Sequence, residues 1–147
     1  MRNLPSLSED ICIVVGISTK GIYAVAAMYA LSKSSNAKLM QIKEIAAMTQ
    51  ISHGYLEQIL TALKKNSLVV SVRGINGGYK LSRDPKEIVV LEIVESLEGK
   101  LFTPNENLGA SVVLDSFWGD IQEKVRTLFE MKLSELDNSY QTYFYEI

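Results

Sequence analysis

The sequence predicts a mainly α chain carrying one small β-hairpin. Three observations predict it. Apolar residues recur at spacings of three and four over several stretches, the mark of helices with one buried face. That period changes to two over Leu68–Arg73 and again over Tyr79–Leu81, on either side of a glycine cluster. A last long helical pattern comes after the breakers Pro104, Asn105, Asn107 and Gly109.

Met1 to Val15 do not share the pattern of the rest of the chain. Pro5 and the Ser/Glu/Asp cluster suggest a loop, and Ile11 to Val15 a short strand or a piece that tucks against a partner. The other reading is an upstream extension ahead of a true start at Val15. Ser18 and Thr19 cap a helix that runs to about Ser32. Its packing face is Tyr23, Ala26, Ala27, Ala30 and Leu31, with Ile22 and Met28 at the edges. SKSSNAK is a loop. Gln41 to Met48 forms a short helix with Ile42, Ile45 and Ala46 inward, and Thr49 to Ile51 make a turn. Ser52 is the expected N-cap of the next helix, its hydroxyl accepting from a free amide of the first turn. Leu56, Ile59, Leu60 and Leu63 share one face of that helix, and Glu57, Gln58, Thr61, Lys64 and Lys65 lie off it. Asn66 is a stop signal.

Leu68, Val70 and Val72 then alternate with Val69, Ser71 and Arg73. Gly74, Gly77 and Gly78 bracket a turn carrying Ile75 and Asn76, and Tyr79 and Leu81 alternate back out. Two short helices joined by about three residues are a helix-turn-helix signal. A basic-tipped hairpin directly after them completes the plan of a winged helix, whose second helix reads a major groove while the hairpin touches the groove beside it. Past Asp84-Pro85, Ile88 to Val90 reads as extended, and the next helix runs to Leu97 and stops at Gly99. Ser111 caps the last long helix. Within it Leu114, Trp118, Ile121, Val125 and Leu128 recur at 4, 3, 4 and 3, the seam of a helix lying against another long helix. An intrachain partner and a second copy of the chain are both open. Few other elements remain to cover the seam in 147 residues, which favours the homodimer. The aromatic tail NSYQTYFYEI is expected to fold back on the dimer helices. The expected division is therefore an extension over 1–15, a winged helix-turn-helix over 16–99, a linker over 100–110, and a dimerisation helix with tail over 111–147.

Composition narrows the function. The hydrophobic share is 47%, that of a globular chain, and no run of about 18 apolar residues offers a membrane span. The single cysteine, Cys12, excludes an internal disulfide framework and fits a cytoplasmic chain. The net charge of −2 conceals an asymmetry. Ser18 to Lys86 hold ten Lys or Arg against three acids, a net of +7. Glu87 to Ile147 hold four basic residues against twelve acids, a net of −8. A basic half beside an acidic half points to a polyanion partner for the first, here double-stranded DNA. The rival expectation is a protein-interaction module that docks through the acidic half. An enzyme is not expected: no nucleophile–base pair, metal spacing or phosphate loop is present, and GINGGY turns between strands with no helix after it.

Each candidate contact has a chemical reason. The first turn of the helix at Ser52 carries Ser52, His53, Gly54 and Tyr55, whose amides point at a phosphate. Tyr55 also reads as a core aromatic. One turn on, Glu57 accepts from a cytosine amine and Gln58 pairs with adenine; Glu57 read blandly is a solvated charge. Arg73 suits the concentrated negative potential of a narrow minor groove. Gly74 lets the backbone turn tightly, and Asn76 donates to a phosphate or base edge. Lys20, Lys43, Lys64, Lys65 and Lys80 are candidate phosphate neighbours, supplying affinity and salt dependence. His53 has no companions for a metal site.

The segments ISTKGIYAV, IKEIAAMTQISHGYLEQILTALKKNSLVVSVRGINGGYKLSRDPKEIVVLEIVESLEG and FWGDIQEKVRTLFEMKLSEL resemble the Rrf-two family of bacterial winged-helix regulators, the IscR, NsrR and CymR type. The resemblance covers about Val15 to Leu136, and YLEQIL with VRGxxGGY is its most specific part. It implies a repressor acting on an inverted repeat, with Glu57 as a specificity residue and Ser52, Tyr55 and Gln58 as contacts. It also sets the family's usual initiator methionine opposite Val15. Gly54 stands where several members carry a larger polar residue. Many members bind an iron–sulfur cluster through three cysteines ahead of the dimer helix. LFTPNENLGASVVLDSF contains none, and its carboxylates Glu106 and Asp115 are poor substitutes for thiolates. No cofactor is expected, and Cys12 reads as an inert thiol, with an intersubunit disulfide or a redox switch as the other reading. The resemblance is then to the cluster-free branch, which implies a metabolic enzyme as co-regulator.

Overall fold

A computed structural model describes residues 17–34, 38–101 and 111–140. Helix α1 (Thr19–Ser32) begins after Ser18, whose hydroxyl accepts from the Lys20 amide at 3.3 Å. Its buried face is Gly21, Ala24, Ala27, Met28, Ala30 and Leu31. Met28 is therefore central rather than marginal, and Ile22 is left exposed. The small residues on this face let α1 lie closely against the later helix α4. Helix α2 (Ile42–Thr49) opens with the Gln41 amide donating to Glu44 Oε2 at 2.7 Å, a reciprocal cap of the Q-x-x-E type. Gln50 ends it in the left-handed region, φ 60°, and turns the chain into α3 (His53–Lys65). Leu56, Ile59, Leu60 and Leu63 of α3 are all buried, as their spacing predicts. The expected Ser52 cap is not made through the hydroxyl: the serine is exposed, and its carbonyl accepts from the Leu56 amide at 3.0 Å.

Strands β1 (Val69–Val72) and β2 (Gly78–Leu81) pair antiparallel, with Val69 opposite Leu81 and Val72 opposite Gly78. Val69 is buried while Val70 and Val72 face outward. Met40 and Tyr79 exchange two backbone bonds, 2.9 and 2.8 Å, which moor the hairpin to the entrance of α2. Gly78, at φ +153°, passes so close to this mooring that a Cβ would lie 2.5 Å from the Met40 carbonyl oxygen.

A 3-10 turn (Pro85–Glu87) and extended Ile88 and Val89 lead into α4 (Val90–Glu98). Glu98, at the end of α4, closes on the start of α1. Its Oε1 accepts from the Ser18 amide at 2.8 Å, from the Gly21 amide at 3.2 Å and from the Ser18 hydroxyl. A carboxylate at a helix N-terminus satisfies amides that the helix itself cannot. Glu98→Ala is expected to lower unfolding free energy by about 1–2 kcal/mol, the scale of a lost cap, with Glu98→Gln intermediate because it keeps an acceptor. Urea denaturation of the three proteins checks this.

Helix α5 (Val112–Phe129) starts at Ser111, whose hydroxyl accepts from the Leu114 amide at 3.1 Å, as expected. The chain then returns to the winged helix. The Val90 amide donates to Met131 O and the Leu133 amide to Ile88 O, both at 2.8 Å, and Leu133 is buried. A short helix α6 (Glu135–Tyr140) comes next. Asp137 on it accepts from the Tyr29 hydroxyl and pairs with Lys33, both on or at the end of α1. The first residues of the expected aromatic tail, Asn138 to Tyr140, thus belong to a helix tied to α1 through Asp137. Residues 141–147 lie outside those described, as do 1–16. Leu114, Trp118, Ile121 and Leu128 of the α5 seam are exposed in the single chain and Val125 is half-buried.

Candidate nucleic-acid interface

The end of α3 that enters the turn is solvent-facing. Ser52, His53, Gly54, Glu57 and Gln58 are exposed, while Leu56, Ile59 and Leu60 on the other side of the same turns fix the helix in the core. Tyr55 packs as its core reading expects. It is half-buried, and its ring meets that of Tyr23 edge-on, centroids 5.4 Å apart and planes at 82°. His53 Nε2 lies 3.6 Å from Glu57 Oε1, one turn along the same face. The i, i+4 spacing is the sequence signal that pairs His53 with Glu57.

Across from α3 stands the wing tip. Arg73, Gly74, Ile75 and Asn76 are exposed, and the turn closes with the Gly77 amide donating to Gly74 O at 3.0 Å. The Gln41 side chain donates to Ile75 O at 3.2 Å, joining the tip to the start of α2. Gln41 joins the candidate interface without being nominated by its chemistry; only its Q-x-x-E cap hints at a special position.

Between α3 and the wing lies a cleft of about 440 Å³, lined by Gln41, Lys43, His53, Lys64, Arg73 and Tyr79 among others. Three cations and no carboxylate line it, so its potential is positive. A smaller hollow of about 230 Å³ on the other side of α3 gathers Lys20, Tyr55 and Gln58. Of the residues proposed from sequence, His53, Arg73 and Gly74 thus line one concavity and Lys20, Tyr55 and Gln58 the other, with α3 between them. Ser52, Glu57 and Asn76 are exposed and line neither. Lys80 lies apart from both, in a hollow on the far side of the wing with Lys38 and Arg83.

The arrangement is a protruding helix flanked by a basic cleft and a loop that can straddle a phosphate backbone. The family model for Rrf2, described as an iron-dependent transcriptional regulator, matches residues 17–141. The chain belongs to the Rrf2 family. Among relatives of this Rrf2 protein is the HTH-type transcriptional regulator IscR of Photorhabdus laumondii, 34% identical over 132 residues, which are 85% of this chain and 80% of that one. Among solved structures, that of CymR (YrzC), the global cysteine regulator of B. subtilis, matches with a TM-score of 0.77 and 31% identity over 84% of this chain and 96% of that one. T. potens IscR matches with a TM-score of 0.70 and 33% identity over 88% and 95%. This Rrf2 protein is therefore a DNA-binding transcriptional regulator with a winged-helix fold, and not an enzyme. No helix among the described residues is long and apolar enough to cross a membrane.

Proposed function

We propose that this Rrf2 regulator is a cytoplasmic homodimer that represses transcription from an inverted-repeat operator. The observation that carries the reading is the basic cleft between α3 and the wing, with Arg73 on its rim. In this reading α3 lies in a major groove, with Glu57 and Gln58 toward base edges and the amides around Ser52, His53 and Tyr55 toward a phosphate. Arg73, Gly74 and Asn76 meet the neighbouring minor groove. Lys20, in its hollow beside Gln58, faces the backbone. The apolar seam Leu114, Trp118, Ile121, Val125 and Leu128 pairs with its copy, which sets two reading heads on successive major grooves about 34 Å apart.

An iron–sulfur cluster does not fit the donors of this chain. Iron–sulfur clusters need thiolates, and the sequence holds one cysteine, Cys12, with none between α4 and α5. Signal input through a cluster is accordingly no part of the proposal. The proposal takes the signal to arrive through a partner instead, a metabolic enzyme acting as co-regulator.

The test is binding of Arg73→Ala to operator DNA at several salt concentrations. The substitution is expected to weaken binding by about 1–3 kcal/mol and to reduce the salt slope by about one. A variant that binds as tightly as the parent with the same slope would remove the wing from the interface.

A further inference from the structure

Ile75 is 93% exposed, more than any other large apolar side chain among the described residues. A single apolar residue in solvent is ordinary. Ile75 differs in how it is held and in what stands beside it. The bond from Gly77 N to Gly74 O, 3.0 Å, closes the turn beneath it, and Gln41 Nε2 grips its carbonyl at 3.2 Å. The paired bonds of Met40 and Tyr79 fix the base of the hairpin to α2. The side chain is β-branched and stiff at χ1. A rigid apolar tip is thus presented two residues from an exposed guanidinium, that of Arg73.

We infer that Ile75 is a wedge that deforms DNA: it presses on the edges of one base step in the minor groove that Arg73 enters. The inference rests on the proposed placement of the wing in that groove. Proteins that bind the minor groove insert Ile, Leu, Phe, Met or Pro between base steps and partly unstack them. The cost of opening a step depends on its sequence. It is low for pyrimidine–purine steps such as TA and CA, and high within stiff A-tracts. Ile75 therefore contributes site choice at a position where no hydrogen bond reads a base. Its contribution carries no charge, so it is independent of salt, unlike that of Arg73.

Ile75→Ser, Ile75→Leu and Arg73→Ala, each in the full chain, are compared with the parent on a duplex of about 30 base pairs, enough for two half-sites one turn apart. The duplex is recovered by selection with the parent protein from a random-sequence pool. Hydroxyl-radical footprinting locates the step under the wing, which is then made TA, CA or AA. Ile75→Ser is expected to bind about tenfold more weakly on the TA and CA duplexes, the effect of one apolar side chain returned to water. On the AA duplex it should approach the parent. Its salt slope stays that of the parent, the duplex bend read by energy transfer between the ends is smaller, and Ile75→Leu keeps both affinity and bend. Equal affinity and bend for Ile75→Ser and the parent overturn the wedge. So does a uniform loss on all three steps with the bend unchanged, which describes contact without deformation. If either occurs while Arg73→Ala is weakened, only the wedge falls; if Arg73→Ala also matches the parent, the placement of the wing falls with it.

Discussion

Ile121→Asp is expected to leave the protein monomeric and to weaken its binding to a duplex with two half-sites by about 100-fold or more, the lower range of what linking two binding modules confers. Ile121 sits at the middle of the α5 seam, with Trp118 before it and Val125 after it at helical spacing. In a pair of such helices a carboxylate there would be buried opposite apolar residues, near the like charge of its copy. A buried charge without a partner is strongly destabilising to an interface. The fold of each chain should survive, because Ile121 is 39% exposed in the single chain and does not belong to the buried core of the described residues. Trp118 is the only tryptophan, and its ring stands edge-on to Phe117 with centroids 5.0 Å apart. Its emission therefore reports the seam directly: shifted toward the blue in the parent, toward the red in Ile121→Asp. Sedimentation equilibrium gives the mass, and a titration with a single half-site should show parent-like affinity. A variant that stays dimeric, with unmoved emission, would mean that α5 does not join two copies through this seam.

Why the helices were legible in the sequence and some contacts were not has a physical reason. Leu56, Ile59, Leu60 and Leu63 announce α3 because a buried helix face must repeat at the helical period, and all four are buried. The hairpin is announced by Gly74, Gly77 and Gly78 because so tight a turn has few alternatives. A four-residue strand with three valines does not announce which side is inward. Val70 and Val72 face out because Val69 pairs with Leu81 over the core. Contacts between distant positions leave no periodic trace at all. Glu98 reaches Ser18 across 80 positions, and Leu133 returns to Ile88 across 45. A glutamate ending one helix and a serine opening another look like ordinary solvated residues until the chain is folded. The same limit explains Ser52: the residue type suits a cap, but the turn set by Gln50 at φ 60° supplies the helix start without the hydroxyl. For the candidate interface, residue chemistry nominates Arg73 and Lys64, but only the mooring of Met40 to Tyr79 places them on one cleft.

Gly77→Ala is expected to abolish wing contacts at least as completely as Arg73→Ala does, although it removes no charge. A Cβ on Gly77 would lie 2.1 Å from Val72 O and 2.9 Å from both the Arg73 carbonyl carbon and Gly74 O. All three neighbours are backbone, so no side chain can swing aside, and the hairpin must open. Gly74 offers the contrast. At φ +119° an alanine there is strained, yet nothing lies within 4 Å of its Cβ, so the wing can keep its course. The helical core packs Leu56, Ile59, Leu60 and Leu63 without help from the wing tip, so the helical circular dichroism of Gly77→Ala should match the parent. Operator binding should fall by more than about 1–3 kcal/mol, the range for one arginine contact, because Arg73 and the tip are displaced together. The double variant decides the cause. If Gly77 acts only by holding Arg73 and its neighbours in place, Gly77→Ala with Arg73→Ala binds no more weakly than Gly77→Ala alone, since two changes that disable one device do not add. Fully additive losses would mean that Arg73 keeps its contact when the hairpin opens, and that Gly77 acts on some other part of the reading head.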